Sequence, residues 1–177
     1  MLGSGLGSDE SGDFGRYGEI TDPRRRSAAY DEALDLMADI WTGRPGRREG
    51  RTYAVDLPAG VPPTHRIPIW IANSRDSAAV IARAVRHDGI FPHRGRDPLT
   101  PDEVRRLVER LREAGLPPEQ AFDLAVSGNA SPAWGEPVTV DLPALAQAGA
   151  TWWMESLIHH DPLDLSLKLV DAGSPRS

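Results

Sequence analysis

The sequence predicts an α/β protein built on a parallel sheet. After residue 66, apolar segments of strand length alternate with segments of helical periodicity. Parallel neighbours need a crossover, and a helix is the usual one. The apolar segments also run without polar alternation, as expected for strands that are covered on both faces. An open doubly wound sheet and a (β/α)8 barrel both fit four such units, and a complete barrel needs about 250 residues.

Local signals place the elements of this repeat. Strands are expected at 67–72, 89–92, 122–128 and 150–157. Helices are expected to follow them at about 75–87, 101–114, 142–148 and 162–171. The run Thr100-Pro101-Asp102-Glu103 is a capping box, and Gly115 ends the helix that it starts. Asp141 and the pair Asp161-Pro162 mark the starts of the last two helices.

The segment before residue 67 is less regular. Its opening, MLGSGLGSDESGDFGRYG, is rich in Gly and Ser, which by itself is typical of a flexible leader. A helix follows, with Thr21 or Asp22 as the N-cap, Pro23 in the first turn and Gly43 at its end. A short strand and a Pro-rich loop come next, in RTYAVDLPAGVPPTHR.

Composition excludes several classes of protein. The 177 residues suffice for one domain, 1–177, with a sizeable core. A formal net charge of −6 argues against a nucleic-acid partner. No apolar run approaches the roughly 18 to 20 residues that span a bilayer, so no membrane partner is expected. The sequence has no cysteine, which excludes disulfides and thiolate chemistry and suits a cytoplasmic protein.

Polar residues stand where the strand 67–72 ends. Asn73, Ser74 and Ser77 lie at the junction of that strand with the next helix. The first turn of a helix offers unpaired N–H groups and the positive end of the dipole, and hydroxyl and amide groups add further donors. These residues are therefore candidates for binding a phosphate group. The simpler interpretation, that Asn73 or Ser74 only caps the helix, stays open.

A basic cluster follows the strand 89–92. His93, Arg94 and Arg96 occupy its loop, which in a parallel sheet lies at the same edge as the Asn-Ser junction. Guanidinium groups bind phosphate through bidentate, charge-assisted hydrogen bonds. The cluster is thus a second candidate for phosphate binding, and a solvated basic loop is the alternative.

The last strand and the loop after it carry further polar and aromatic groups. Trp152 and Trp153 should point to opposite faces of the sheet, and Glu155 is a carboxylate in an apolar strand. The run His159-His160-Asp161 looks like a metal cluster, but no further ligands converge on it in the sequence. Since no Ser-His-Asp arrangement or metal spacing stands out, chemistry carried by a bound cofactor fits better than chemistry by side chains alone.

Motifs along nearly the whole chain resemble one family in their order. They are LGSGLG, RRRSAAYDEALDLMADIWTG, GRTY with its Pro-rich loop, RIPIWIANS, DGIFP and AGATWWMESL. In this order and spacing, the chain resembles the C-terminal part of luciferase-like monooxygenases, a family of flavin- or deazaflavin-dependent barrel enzymes.

The resemblance implies a partial (β/α)8 barrel with outer helices, running from about the fourth or fifth strand to the eighth. Residue 1 would then fall within the fourth strand, the opening Gly-Ser stretch would be the active-site loop of that strand, and about three earlier strand-helix units would be lacking. The implied cofactor is FMN or coenzyme F420. Its phosphate would be bound after the fifth barrel strand by Asn73, Ser74 and Ser77, and after the sixth by His93, Arg94 and Arg96.

The implied function is that of a flavin- or F420-dependent oxidoreductase, or monooxygenase, that acts on a small organic substrate. Residues 3–7 and Trp152 or Trp153 would form pocket walls. An alternative is a truncated, non-catalytic partial barrel that acts as a structural partner or has no activity. Half a barrel leaves open sheet edges and an uncovered inner face, so we expect a homo-oligomer or a complementing chain.

Overall fold

A computed structural model describes residues 1–73, 77–94, 97–130, 140–157 and 161–173. Its strands are β1 (Leu2–Gly5), β2 (Gly46–Glu49), β3 (Ala54–Leu57), β4 (Ile69–Asn73), β5 (Gly89–Pro92), β6 (Asp123–Gly128) and β7 (Trp152–Glu155). Its helices are α1 (Pro23–Ile40), α2 (Ala78–Ala84), α3 (Pro101–Glu113), α4 (Leu142–Ala148) and α5 (Leu163–Ala172). Two compact units are present, Met1–Ser4 with Pro68–Ser177 and Gly5–Ile67. One domain over 1–177 stays a prediction.

The first unit contains a five-stranded sheet in the order β1-β4-β5-β6-β7. The pairs β4–β5, β5–β6 and β6–β7 are parallel. Because the last four strands follow chain order without a reversal, right-handed crossovers put their helices on one side of the sheet. In agreement, α3 contacts both α2 and α4. This is the topology of a partial (β/α)8 barrel, since a doubly wound sheet needs a reversal of strand order. The predicted fold class is confirmed.

The glycine-rich N-terminus is a strand of this sheet. Leu2–Gly5 lies beside β4, and the N–H of Leu2 donates to the carbonyl of Pro68 at 2.7 Å. Its composition alone was typical of a leader, whereas the resemblance implied the fourth barrel strand at residue 1 and its active-site loop over the Gly-Ser stretch. The strand is present, but it covers residues 2–5, which had been expected in the loop.

The buried core of the sheet follows from the register of its strands. Ile71 stands opposite Ile90, and Ile90 stands opposite Leu124, so that these side chains form one row across three strands. All three are almost completely buried, as is Val126 further along β6. On α3, Val104, Leu107 and Leu111 are buried at the spacing of a single helical stripe. We call the side of the sheet that carries Ile71 and Ile90 the helix-side face.

The other side of the sheet, the opposite face, carries two tryptophans at its N-terminal end. Trp70 stands opposite Gly89 and is 3% exposed, whereas Trp152 is 50% exposed. Gly89 is required there, because a Cβ at this position would lie 2.7 Å from the Trp70 ring. The register also puts Trp153 on the helix-side face, so the prediction that the two adjacent rings point to opposite faces is confirmed.

Helix starts agree with the sequence in most places. Asp22, Thr100 and Asp141 cap α1, α3 and α4 as predicted, and the Thr100–Glu103 capping box is complete. The helix after β4 is shorter than predicted: it spans Ala78–Ala84, whereas about 75–87 was expected. Among the described residues, no helix is long and apolar enough to cross a bilayer.

The second unit combines α1 with the antiparallel pair β2–β3. The carboxylate of Glu32 on α1 accepts backbone N–H bonds from Arg51, Thr52 and Tyr53 in the turn between the two strands, at 2.9 to 3.2 Å. These hydrogen bonds, that of Thr52 first, lower the pKa of Glu32. Strand β2 had not been predicted, since GRRE has no apolar pattern.

Candidate functional site

The carboxyl ends of β4 and β5 lie side by side. Asn73 stands opposite Pro92, and one step further the N–H of His93 donates to the carbonyl of Asn73 at 2.7 Å. This bond continues the parallel pairing beyond the strand ends. The structure therefore brings the two polar junctions of the sequence together at one edge of the sheet, as predicted.

Ser77 is the N-cap of α2. Its backbone is extended, and its Oγ accepts the N–H of Val80 at 3.3 Å. The alternative interpretation was that Asn73 or Ser74 only caps the helix, whereas the residue that caps it is Ser77. Because the Ser77 hydroxyl accepts the bond from Val80, its own hydrogen remains available to donate to a ligand.

Arg94 forms a bidentate ion pair with Glu103 on α3. Its Nη1 and Nη2 lie 3.0 Å and 2.9 Å from Oε1 and Oε2 of the carboxylate. The same Oε2 accepts from the N–H and the hydroxyl of Thr100. Arg94 first, then the Thr100 N–H, lowers the pKa of Glu103 from 4.5 to about 2. Glu103 is consequently ionised at neutral pH and compensates one positive charge at this edge.

A cavity of about 350 Å³ adjoins the two strand ends and α3. We call it the arginine cavity; it is lined by Asn73, Pro92, Arg94, Leu99, Glu103, Arg106, Leu107 and Arg110. Asn73 and Pro92 have the same strand parity as Ile71 and Ile90, so the cavity lies on the helix-side face. Three arginines against one glutamate give the lining a positive surplus, in a chain whose net charge is −6.

His93 belongs to the other side of the sheet. Its ring lies 5.4 Å from that of Phe91, with an interplanar angle of 48°. Phe91 shares its strand parity with Gly89 and so lies on the opposite face. The predicted site residues thus divide between two faces, with Asn73 and Arg94 at the arginine cavity and His93 beside Phe91.

A carboxylate joins two indoles on the opposite face. Asp123 accepts from Nε1 of Trp70 at 3.0 Å and from Nε1 of Trp152 at 2.9 Å. The two indole rings are 5.5 Å apart and inclined by 59°. All of these groups lie at the amino ends of their strands, away from the arginine cavity. We infer a structural role for Asp123, because it accepts from two indole N–H groups at the amino ends of the strands, whereas the active sites of barrel enzymes lie at the carboxyl ends.

Glu155 also has a structural environment. Its carboxylate accepts from Nε1 of Trp153 at 2.9 Å and from the N–H of Ala130 at 2.9 Å. These bonds tie the end of β7 to the residues after β6. We infer a structural role for Glu155 from these contacts.

Not every predicted site residue can be placed. Ser74 and Arg96 lie outside the described residues, as do His159 and His160 of the metal-like run. Within the described ranges, no group of three or more His, Asp or Glu side chains could hold a metal ion.

Sequence reasoning missed the α3 side of the site. Glu103, Arg106 and Arg110 share one stripe of this helix with Leu107, at intervals of three and four residues. That spacing was visible in the sequence and predicts a common face. The missing information was which loop this face would meet.

One family model matches the chain. The model of luciferase-like monooxygenases matches residues 1–154, which include the sheet except for Glu155 at the end of β7. A search of curated proteins finds no match. The family consists of oxidoreductases, and its members generally use reduced flavin or F420. This chain belongs to the luciferase-like monooxygenase family.

Proposed function

We propose that this chain is a flavin- or deazaflavin-dependent oxidoreductase domain that acts on a small organic substrate, with FMN or coenzyme F420 as its cofactor. The observation that carries the proposal is the meeting of Asn73 and His93 at the carboxyl edge of the sheet, next to a cavity lined by arginines. In barrel enzymes, this edge holds the active site.

The residues at this edge fit a cofactor with a phosphate group. In the proposal, all six predicted residues bind the cofactor: Asn73, Ser74, Ser77, Arg94 and Arg96 contact its phosphate, and His93 contacts it from the opposite face. The amide of Asn73 and the hydroxyl of Ser77 can donate hydrogen bonds, and Arg94 supplies a cation. The Glu103 carboxylate opposes an anion, but the two further arginines of the cavity outnumber it.

The cofactor ring, when bound, would supply hydride transfer or oxygen activation. The protein's part is to bind and orient it. Phe91 and His93 offer a partly apolar wall with a hydrogen-bonding nitrogen on the opposite face. Trp152 lies at the amino ends of the strands with Asp123 and Trp153 lies on the helix-side face, so neither is assigned to the cofactor ring in this proposal.

The phosphate assignment can be tested by titration. We expect the full chain to bind FMN more tightly than riboflavin, because riboflavin lacks the phosphate. Each charge-assisted hydrogen bond contributes roughly 1.5 to 3 kcal/mol, so losing two should weaken binding by about two orders of magnitude or more. F420 and its dephosphorylated core form the matching pair. The visible absorbance of the cofactor reports the binding.

Variants separate the contributions. Ser77→Ala should lower the preference for FMN in part, since backbone N–H groups remain. Arg96→Ala should weaken binding and flatten its dependence on salt. His93→Ala has a matched control in His65→Ala, an exposed histidine at a distant place in the sequence. Equal titration of FMN and riboflavin by the wild-type chain would refute the phosphate assignment.

A second candidate function is that of a partial barrel that completes a larger assembly. Trp152 and Met154 are 50% and 37% exposed on the opposite face, and β1 and β7 are the edge strands of the sheet. Apolar surface of this kind favours association with a second copy or a complementing chain. We expect light scattering to show an oligomer, and a monodisperse monomer with full cofactor affinity would contradict this.

In line with the cysteine-free sequence, we propose that the protein is cytoplasmic.

A further inference from the structure

We propose that the arginine cavity is a binding site for a phosphate dianion, and that Arg106 and Arg110 of α3 are its principal cations. The inference deepens the proposed function, with which it shares Asn73 and Arg94. It adds two residues on a helix that the sequence had not connected with the site. The chemical class of ligand is a phosphomonoester or inorganic phosphate.

The arginines of the cavity come from two elements of the fold. Arg106 and Arg110 are four residues apart on α3 and therefore project from the same side of the helix. Arg94 enters the same cavity from the loop after β5. Arginines from two separate elements thus line one cavity, and guanidinium groups suit the recognition of a phosphate dianion.

The charge of the cavity depends on which of its arginines are already paired. Arg94 is paired with Glu103, and Arg106 adds a positive charge that this pair does not compensate. Arg106 is exposed and makes no hydrogen bond or ion pair with any residue that the structure describes. A guanidinium that is not engaged within the described part of the chain can bind an anion without first breaking an internal pair.

The arginine cavity has the size and the lining of a small ligand site. About 350 Å³ lies at the small end of the range for ligand sites, and it exceeds by far the roughly 30 Å³ that one water occupies. Leu99, Leu107 and Pro92 form an apolar part of the cavity lining beside the charged groups. The cavity can therefore hold a phosphate group together with a few waters.

The experiment is a calorimetric titration of the full chain with inorganic phosphate at low, fixed ionic strength. Arg106→Gln and Arg110→Gln should each weaken phosphate binding by about tenfold, the lower end for a charge-assisted contact. Arg112→Gln is the matched control, because Arg112 is an exposed arginine of the same helix that does not line the cavity. It should change the affinity by less than about twofold.

A gain-of-affinity variant complements these losses. Glu103→Gln removes the negative charge from the cavity while glutamine can still serve in the capping box. Phosphate should bind several-fold more tightly to this variant. Circular dichroism of each variant checks that α3 remains folded. If Arg106→Gln and Arg112→Gln bind phosphate equally well, or if the wild-type chain takes up no phosphate at millimolar concentration, the inference is overturned.

The proposed function is judged by a different readout. Phosphate binding that depends on Arg106 without any binding of FMN or F420 would support the cavity and refute the oxidoreductase proposal. Conversely, cofactor binding that is the same in Arg106→Gln and wild type, together with no phosphate titration, would overturn the cavity and leave the oxidoreductase proposal standing.

Discussion

Replacing Asp123 should destabilise the sheet through one tryptophan more than through the other. In Asp123→Ala both indole N–H groups lose their acceptor. Trp70 is 3% exposed, so its N–H cannot find water, whereas Trp152 is 50% exposed and its N–H can. A hydrogen bond to a charged group contributes about 1.5 to 3 kcal/mol, and solvent access reduces that of Trp152 to under about 1 kcal/mol. We therefore expect a total loss of about 1.5 to 4 kcal/mol, most of it from the bond to Trp70.

Urea unfolding followed by circular dichroism measures this loss. The matched variant Asp123→Asn keeps one acceptor oxygen and should lose about half as much. Double-mutant cycles with Trp70→Phe and Trp152→Phe separate the two bonds, and the coupling with Trp70 should be the larger. The reasoning is refuted if Asp123→Ala unfolds at the wild-type urea concentration, or if the coupling with Trp152 exceeds that with Trp70.

Three further predictions concern individual side chains. The pKa of Glu103 is lowered from 4.5 to about 2, so its contribution to stability is present above about pH 4.5 and is lost as the pH falls toward 2. In urea titrations at different pH values, Glu103→Gln should remove this pH dependence of the free energy of unfolding. Gly89→Ala should destabilise the sheet by about 1 to 3 kcal/mol in the same assay, because its Cβ would lie 2.6 Å from the Asp123 carbonyl oxygen. The control Gly60→Ala should be nearly neutral, since a Cβ at Gly60 has no atom within 4 Å. Glu32→Gln should speed amide exchange in the turn between β2 and β3, and unchanged exchange there would contradict the role given to its carboxylate.

The sequence predicted the strands well because their signals are local. Continuous apolar runs located β4, β5, β6 and β7 to within a few residues, and caps such as Asp141 located the helix starts. The order of the strands needed more than local signals. Four units fit two architectures, and the family resemblance decided between them.

The candidate site was predicted only in part, for two physical reasons. Asn73, Ser74 and Ser77 are all good capping residues, and composition cannot tell which one takes the extended backbone that an N-cap needs. The other reason is distance along the chain: the bond between Trp70 and Asp123 joins residues 53 apart, and only the folded sheet brings them together.

The two carboxylate oxygens of Glu103 accept different numbers of hydrogen bonds. Oε1 accepts only from Arg94 in the bonds described above, whereas Oε2 also accepts both donors of Thr100. An anion that draws Arg94 away would therefore remove two hydrogen bonds from Glu103 and leave its bonds to Thr100 in place. Arg94 can therefore rotate toward a ligand without breaking the hydrogen bonds that hold the first turn of α3. The helix that carries Arg106 and Arg110 stays capped while the site rearranges.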